Sequence, residues 1–68
     1  MKNTLKVERA KMDCTQADLA KAIKVSRQTI NAIEQGNYNL STILALKISA
    51  YFGVSVNDIF ELEKSDYQ

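Results

Sequence analysis

Histidine and proline are absent from this chain, and cysteine occurs once. A single cysteine excludes an intramolecular disulfide, and without histidine or a cysteine cluster the ligands of a structural zinc site are missing. Only two glycines occur, Gly36 and Gly53, so there is no glycine-rich phosphate loop. No apolar run approaches the length needed to cross a bilayer, and the opening MKNTLKVERAK is charged throughout, unlike a signal peptide. These absences lead to the expectation of a cytoplasmic protein with a reduced thiol. Low-complexity runs and internal repeats are missing as well.

What is present fits one domain, residues 1–68, near the lower size limit for independent folding. A core of this size rarely supplies more than roughly 3–5 kcal/mol. With no disulfide or metal available, oligomerisation is the remaining usual aid. The hydrophobic fraction, 46%, is ordinary for a globular domain, so disorder is not the default. Catalysis has little to work with. Asp13 with Asp18, and Glu61 with Glu63, read as cap and surface charges, and one small core leaves little room for an enclosed pocket. No enzyme activity, cofactor, metal or small-molecule ligand is expected.

The net charge of +1 conceals an asymmetry. Residues 1–39 carry seven basic and four acidic groups, a net +3, whereas residues 40–68 carry two basic and four acidic, a net −2. The basic half reads either as ordinary solvated surface or as a modest electrostatic footprint for nucleic acid.

The helical signals are regular and predict an all-α fold of five helices. The first runs roughly from Thr4 to Met12, with Asn3 or Thr4 as its cap. Thr15 caps the second, with Asp18 three residues on as an acidic capping box. Leu19, Ala20 and Ile23 form its buried stripe. Lys24-Val25 makes the turn and Ser26 caps the third helix, which buries Ile30 and Ile33. Gly36 stands where a helix C-terminus favours a left-handed residue. Ser41 caps the fourth helix, which ends at Gly53 and is apolar almost all round, as in helices buried on more than one side. Ser55 caps a short fifth helix, Val56 to about Phe60. Glu61 to Gln68 is a polar tail, with a short extended start at Phe60–Leu62.

The stretch Thr15–Gly36, TQADLAKAIKVSRQTINAIEQG, carries the functional signal. A helix opening with exposed Arg27, Gln28 and Thr29 suits DNA. Its free backbone N–H groups match a phosphate. Arg can donate twice to guanine O6 and N7, Gln can pair bidentately with adenine, and the Thr methyl can touch thymine. The competing reading is a solvated surface on a short helix.

The pattern T-Q-x-x-L-A-x-x-I-x-V-S-x-x-T-I-x-x-I-E-x-G resembles the phage repressor and Cro type of helix-turn-helix, also called the xenobiotic-response-element type. The likeness continues through Tyr38-Asn39, Ala45-Leu46-Lys47-Ile48 and Phe52 to Phe60, so it covers about residues 4 to 60. The R-Q-T-I-N wording and the length resemble the small stand-alone dimeric bacterial regulators of that family. Two departures stand out. Leu40 and Thr42 replace the Pro and Leu of many relatives, and Lys24 occupies a turn position where many have Gly. A left-handed Lys carries a conformational cost.

The resemblance implies a compact lambda-repressor-like fold whose reading unit is 15–36, with the third helix in the major groove. By position, Arg27, Gln28, Thr29 and Asn31 would face base edges. Gln16, Ser26, Asn37, Tyr38 and Asn39 would contact phosphates, although Ser26 also caps and Asn39 could instead set up the fourth helix. Arg9 and Glu34 would form a structural ion pair. A homodimer on a palindromic operator is implied, with a dimerisation region about 43–62. Val56, Phe60 and Leu62 are favoured at its interface over Ile59; the alternative is that they close the monomer core. Cys14 reads as a small core residue, with a redox role as the competing reading. The implied function is a transcriptional regulator of repressor type binding double-stranded DNA. The competing class is an antitoxin-like interaction module, which the short tail after Phe60 disfavours.

Overall fold

Each helix begins and ends where its free backbone groups find a partner. The computed structural model describes residues 1–68 and has five α-helices: α1 (Leu5–Lys11), α2 (Gln16–Ile23), α3 (Arg27–Glu34), α4 (Thr42–Phe52) and α5 (Val56–Ile59). Two short strands, β1 (Lys2–Asn3) and β2 (Phe60–Glu61), and a 3₁₀ turn at Lys64–Tyr67 complete the chain.

At the start of α2, the Thr15 hydroxyl accepts from the Asp18 N–H at 3.0 Å, and the Asp18 carboxylate accepts from the Thr15 N–H at 3.0 Å. This reciprocal box satisfies two donors at once. Ser26 accepts from the Thr29 N–H and Ser41 from the Leu44 N–H, each at 3.1 Å. Of the two candidate caps for α1, Asn3 serves: its Oδ1 accepts from the Leu5 N–H at 3.2 Å, while the Thr4 side chain makes no such bond.

The helix ends share one device. Asp13 (φ 53°), Lys24 (φ 62°), Gly36 (φ 77°) and Gly53 (φ 69°) are the left-handed residues, one just beyond each of α1 to α4. The N–H that follows each turns back onto the last helical turn: Cys14 to Arg9, Val25 to Ala20, Asn37 to Ala32 and Val54 to Ser49, at 2.9–3.2 Å. These are Schellman closures. Glycine adopts the conformation freely, whereas Asp13 and Lys24 hold a Cβ against the following carbonyl, at a cost of roughly 1–2 kcal/mol each.

The core is assembled by one wholly buried side chain from each helix: Leu5, Leu19, Ile30, Ile48 and Ile59. Burying a side chain of this size contributes about 1.5–3 kcal/mol. Cys14 joins this cluster, its sulfur 3.6 Å from the Tyr51 hydroxyl. α2 packs on α3 and α4, and α4 on α5. α4 is not covered all round. Leu44, Ala45 and Ile48 face inward, but Ile43 and Leu46 are 69% and 56% exposed.

The ends of the chain depart from the all-helical expectation. β1 and β2 pair antiparallel, with Lys2 opposite Glu61 and Asn3 opposite Phe60. The expected extended start at Phe60 is present but stops at Glu61. Its N-terminal partner strand leaves no two-residue alternation long enough to read. The tail is folded: Glu63 donates its N–H to Asp66 at 2.7 Å, and the Met1 amino group lies 3.1 Å from Glu63 and 3.3 Å from Asp66. Phe60, expected at a dimer interface, is 7% exposed in the single chain, where it belongs to the buried cluster and pairs with Asn3.

Candidate nucleic-acid interface

The α2–α3 pair is held at its angle from within and from one side. Within, Leu19, Ala20 and Ile23 of α2 join Ile30 and Ile33 of α3 in the same buried cluster. From the side, Arg9 of α1 reaches Glu34 at the end of α3. Its Nε and Nη2 donate to the two carboxylate oxygens at 2.6 and 3.1 Å, and its Nη1 donates to the Cys14 carbonyl at 2.9 Å. Both side chains are largely shielded, 13% exposed for Arg9 and 7% for Glu34. Burial acts to raise the Glu34 carboxyl, but hydrogen bonds from Arg9 and Gln16, with the charges of Arg9 and Lys6, outweigh it and hold it below its ordinary value. The hydrogen bond to Glu34 holds Arg9 above its own.

This pair continues into the candidate site. Gln16, the first residue of α2, donates from Nε2 to Glu34 Oε1 at 3.1 Å and to Asn31 Oδ1 at 3.3 Å. Both amide donors of Gln16 are therefore used inside the protein. What remains for a phosphate at this corner is backbone. The Thr15 box satisfies the Asp18 N–H and leaves those of Gln16 and Ala17 free at the positive end of α2.

The start of α3 is built the same way. Ser26 satisfies the Thr29 N–H, and its hydroxyl also lies 2.9 Å from the Thr29 hydroxyl. The N–H groups of Arg27 and Gln28 are left free. Both side chains are exposed and make no hydrogen bond or ion pair with the rest of the chain. Arg27 lines a recess with Thr15, Gln16 and Ala17 at the start of α2. Thr29 is half-buried with its hydroxyl engaged by Ser26. Asn37, Tyr38 and Asn39 are exposed in the loop between α3 and α4.

One further residue belongs to this surface. Gln28, Asn31 and Gln35 lie within about 60° of one another around α3, opposite Ile30 and Ile33. Gln35 is exposed, and its Nε2 donates to Asn31 Oδ1 at 3.4 Å. The signal was available as the i+4 and i+7 spacing from Asn31 and Gln28.

A pair of short helices joined by a tight turn, the second presenting an unpaired polar tip beside the open N-terminus of the first, defines a helix-turn-helix DNA-binding unit. The model of the helix-turn-helix family matches residues 5–59. A Methanocaldococcus jannaschii protein named as an uncharacterized HTH-type transcriptional regulator is 54% identical over 66 residues, spanning 97% of this chain and 100% of that one. A Bacillus subtilis protein named in the same way is 42% identical over the same shares. Among solved structures, a hypothetical transcription factor from Neisseria aligns with a TM-score of 0.74 at 22% identity, covering 79% of this chain and 61% of that one, a likeness of fold. The chain belongs to the helix-turn-helix family of DNA-binding transcriptional regulators, which are not enzymes. No helix is long and apolar enough to cross a membrane.

Proposed function

We propose that the protein is a sequence-specific repressor that acts in the cytoplasm and binds a palindromic operator as a homodimer, with α3 in the major groove. The observation that carries this reading is the tip of α3. Arg27 and Gln28 are exposed, unpaired and rooted on a capped helix start, so their donors and acceptors are free for base edges. Thr29 offers a methyl to thymine, and Asn31 lies one turn further along. The phosphates on either side meet Ser26, the free N–H groups of Gln16 and Ala17, and the loop Asn37, Tyr38 and Asn39. Arg9 and Glu34 set the angle between the helices without touching DNA.

Two copies are needed because one short helix reads few base pairs. Apolar surface for pairing is offered within residues 43–62. Ile43, Leu46 and Leu62 are exposed, and Val56 is half-buried. Repression follows from occupying a promoter. The test is selection of bound sites from random duplex DNA, with the stoichiometry of the selected complex measured. The expected result is an inverted repeat with half-sites about 34 Å apart, or a multiple of that, and two chains per duplex. A bound duplex with no preferred sequence would refute sequence-specific reading. A single chain on a single half-site would refute the dimer.

A further inference from the structure

We infer that Asn31 reads DNA as a donor only, because a relay of hydrogen bonds running from Arg9 through Glu34 and Gln16 sets which end of its amide faces the groove. The inference rests on the reading that α3 enters the major groove.

The relay begins with a group that cannot reverse. The Arg9 guanidinium carries donors only, and it meets both oxygens of Glu34. Glu34, ionised beside Arg9, carries acceptors only. Gln16 must therefore turn its NH₂ toward Glu34, which it does at 3.1 Å. The second hydrogen of that NH₂ points to Asn31, so Asn31 must answer with oxygen, and its Oδ1 lies 3.3 Å away. Gln35 donates to the same oxygen at 3.4 Å. With Oδ1 taken from two sides, Nδ2 is the part of the amide left to a ligand. Rotating the amide by half a turn would set NH₂ against NH₂ at Gln16, whose own amide Glu34 holds in place. Gln16 and Gln35 are thus positioning residues, and Glu34 acts through Gln16.

The consequence is a base preference unlike the usual one for asparagine. Asn pairs with adenine by accepting from N6 while donating to N7. A donor-only amide cannot accept from N6. It matches guanine best, whose N7 and O6 both accept; adenine through N7 and thymine through O4 each offer one acceptor, and adenine's N6 donor is left unanswered. Cytosine, which presents a donor, is rejected.

The experiment is selection of bound sites from random duplex DNA with the wild-type chain, Asn31→Ala, Asn31→Asp and the double variant Gln16→Ala/Gln35→Ala. Far-UV circular dichroism checks that each variant is folded. Asn31→Ala locates the position in each half-site that Asn31 reads, and there the wild type is expected to favour guanine over adenine and cytosine by about tenfold or more. Asn31→Asp replaces the outward donor with an acceptor, so cytosine is expected to displace guanine at that position alone. The double variant releases the amide, and adenine is expected to rise to the level of guanine. Adenine favoured there by the wild type, or preferences unchanged by both Asn31→Ala and Asn31→Asp, would overturn the inference while leaving the other half-site positions intact. No preferred site with any variant would instead overturn the DNA reading itself, and the inference with it.

Discussion

Replacing Glu34 with alanine strands a buried cation. In the native chain Arg9 spends three nitrogens on two carboxylate oxygens and the Cys14 carbonyl. After Glu34→Ala only the 2.9 Å bond to Cys14 remains, in a site that leaves Arg9 13% exposed. Gln16 loses an acceptor at the same time. Breaking a buried pair from one side costs about 3–5 kcal/mol. The surviving bond and the small exposure of Arg9 place this site near the lower end, about 3 kcal/mol. That is comparable with the whole stability a core of this size supplies, roughly 3–5 kcal/mol. The melting midpoint is expected to fall by about 12–24 °C, at about 4–8 °C per kcal/mol. Urea and thermal unfolding followed by far-UV circular dichroism measure it. Two controls separate charge from shape. Glu34→Gln keeps acceptors for Arg9 and Gln16 and should lose less. Arg9→Met with Glu34→Leu removes both charges and should recover much of the loss. A Glu34→Ala midpoint equal to wild type would refute the reasoning, since it would mean that Arg9 finds full solvation without its partner.

Lys24→Gly should stabilise the fold, because it removes a left-handed Cβ that costs roughly 1–2 kcal/mol while adding about 0.5–1 kcal/mol of chain entropy to the unfolded state; a higher urea midpoint, by about 0.5–1 kcal/mol, checks it. Acid should unfold the protein partly through Glu34. Its carboxyl is held below the ordinary value in the fold, so its contribution is complete above about pH 4.3, where an unfolded Glu ionises, and is lost as pH falls through the lower folded value. Glu34→Gln should flatten that acid limb in unfolding curves taken between about pH 2 and 5. Ile43→Glu and Leu62→Glu, both at exposed positions, should leave the chain folded but convert the proposed dimer to monomer in sedimentation velocity, with loss of operator affinity.

The helical frame was legible because its signals are local. Thr15, Ser26 and Ser41 announce the helix starts, Gly36 and Gly53 two of the ends, and Leu19, Ile23, Ile30 and Ile33 the buried faces. Lys24 was marked by the glycine usual at that place. Asp13, left-handed like Lys24, carried no such mark, because Asp serves as readily in caps and turns of other kinds. The pairing of β1 with β2 joins residues at opposite ends of the chain, and two residues a side are too short to show a period. Phe60 stands in that pairing. Its apolar character was plain, but the residues alone left open whether it faced the core or a partner. The polar relay was hidden for a different reason. Arg9, Gln16, Asn31 and Glu34 come from three helices, and only their assembled positions show that Gln16 has no side-chain donor to spare for phosphate. Gln35 could have been found from its spacing to Gln28 and Asn31.

The central claim, that the tip of α3 reads base identity, is tested most directly by comparing binding-site preferences of the wild-type chain and Gln28→Ala across a library of duplexes. The account predicts that preference relaxes at one position in each half-site, by roughly 1–3 kcal/mol, with the other positions unchanged. A uniform loss of affinity across all sequences, with every preference retained, would contradict it.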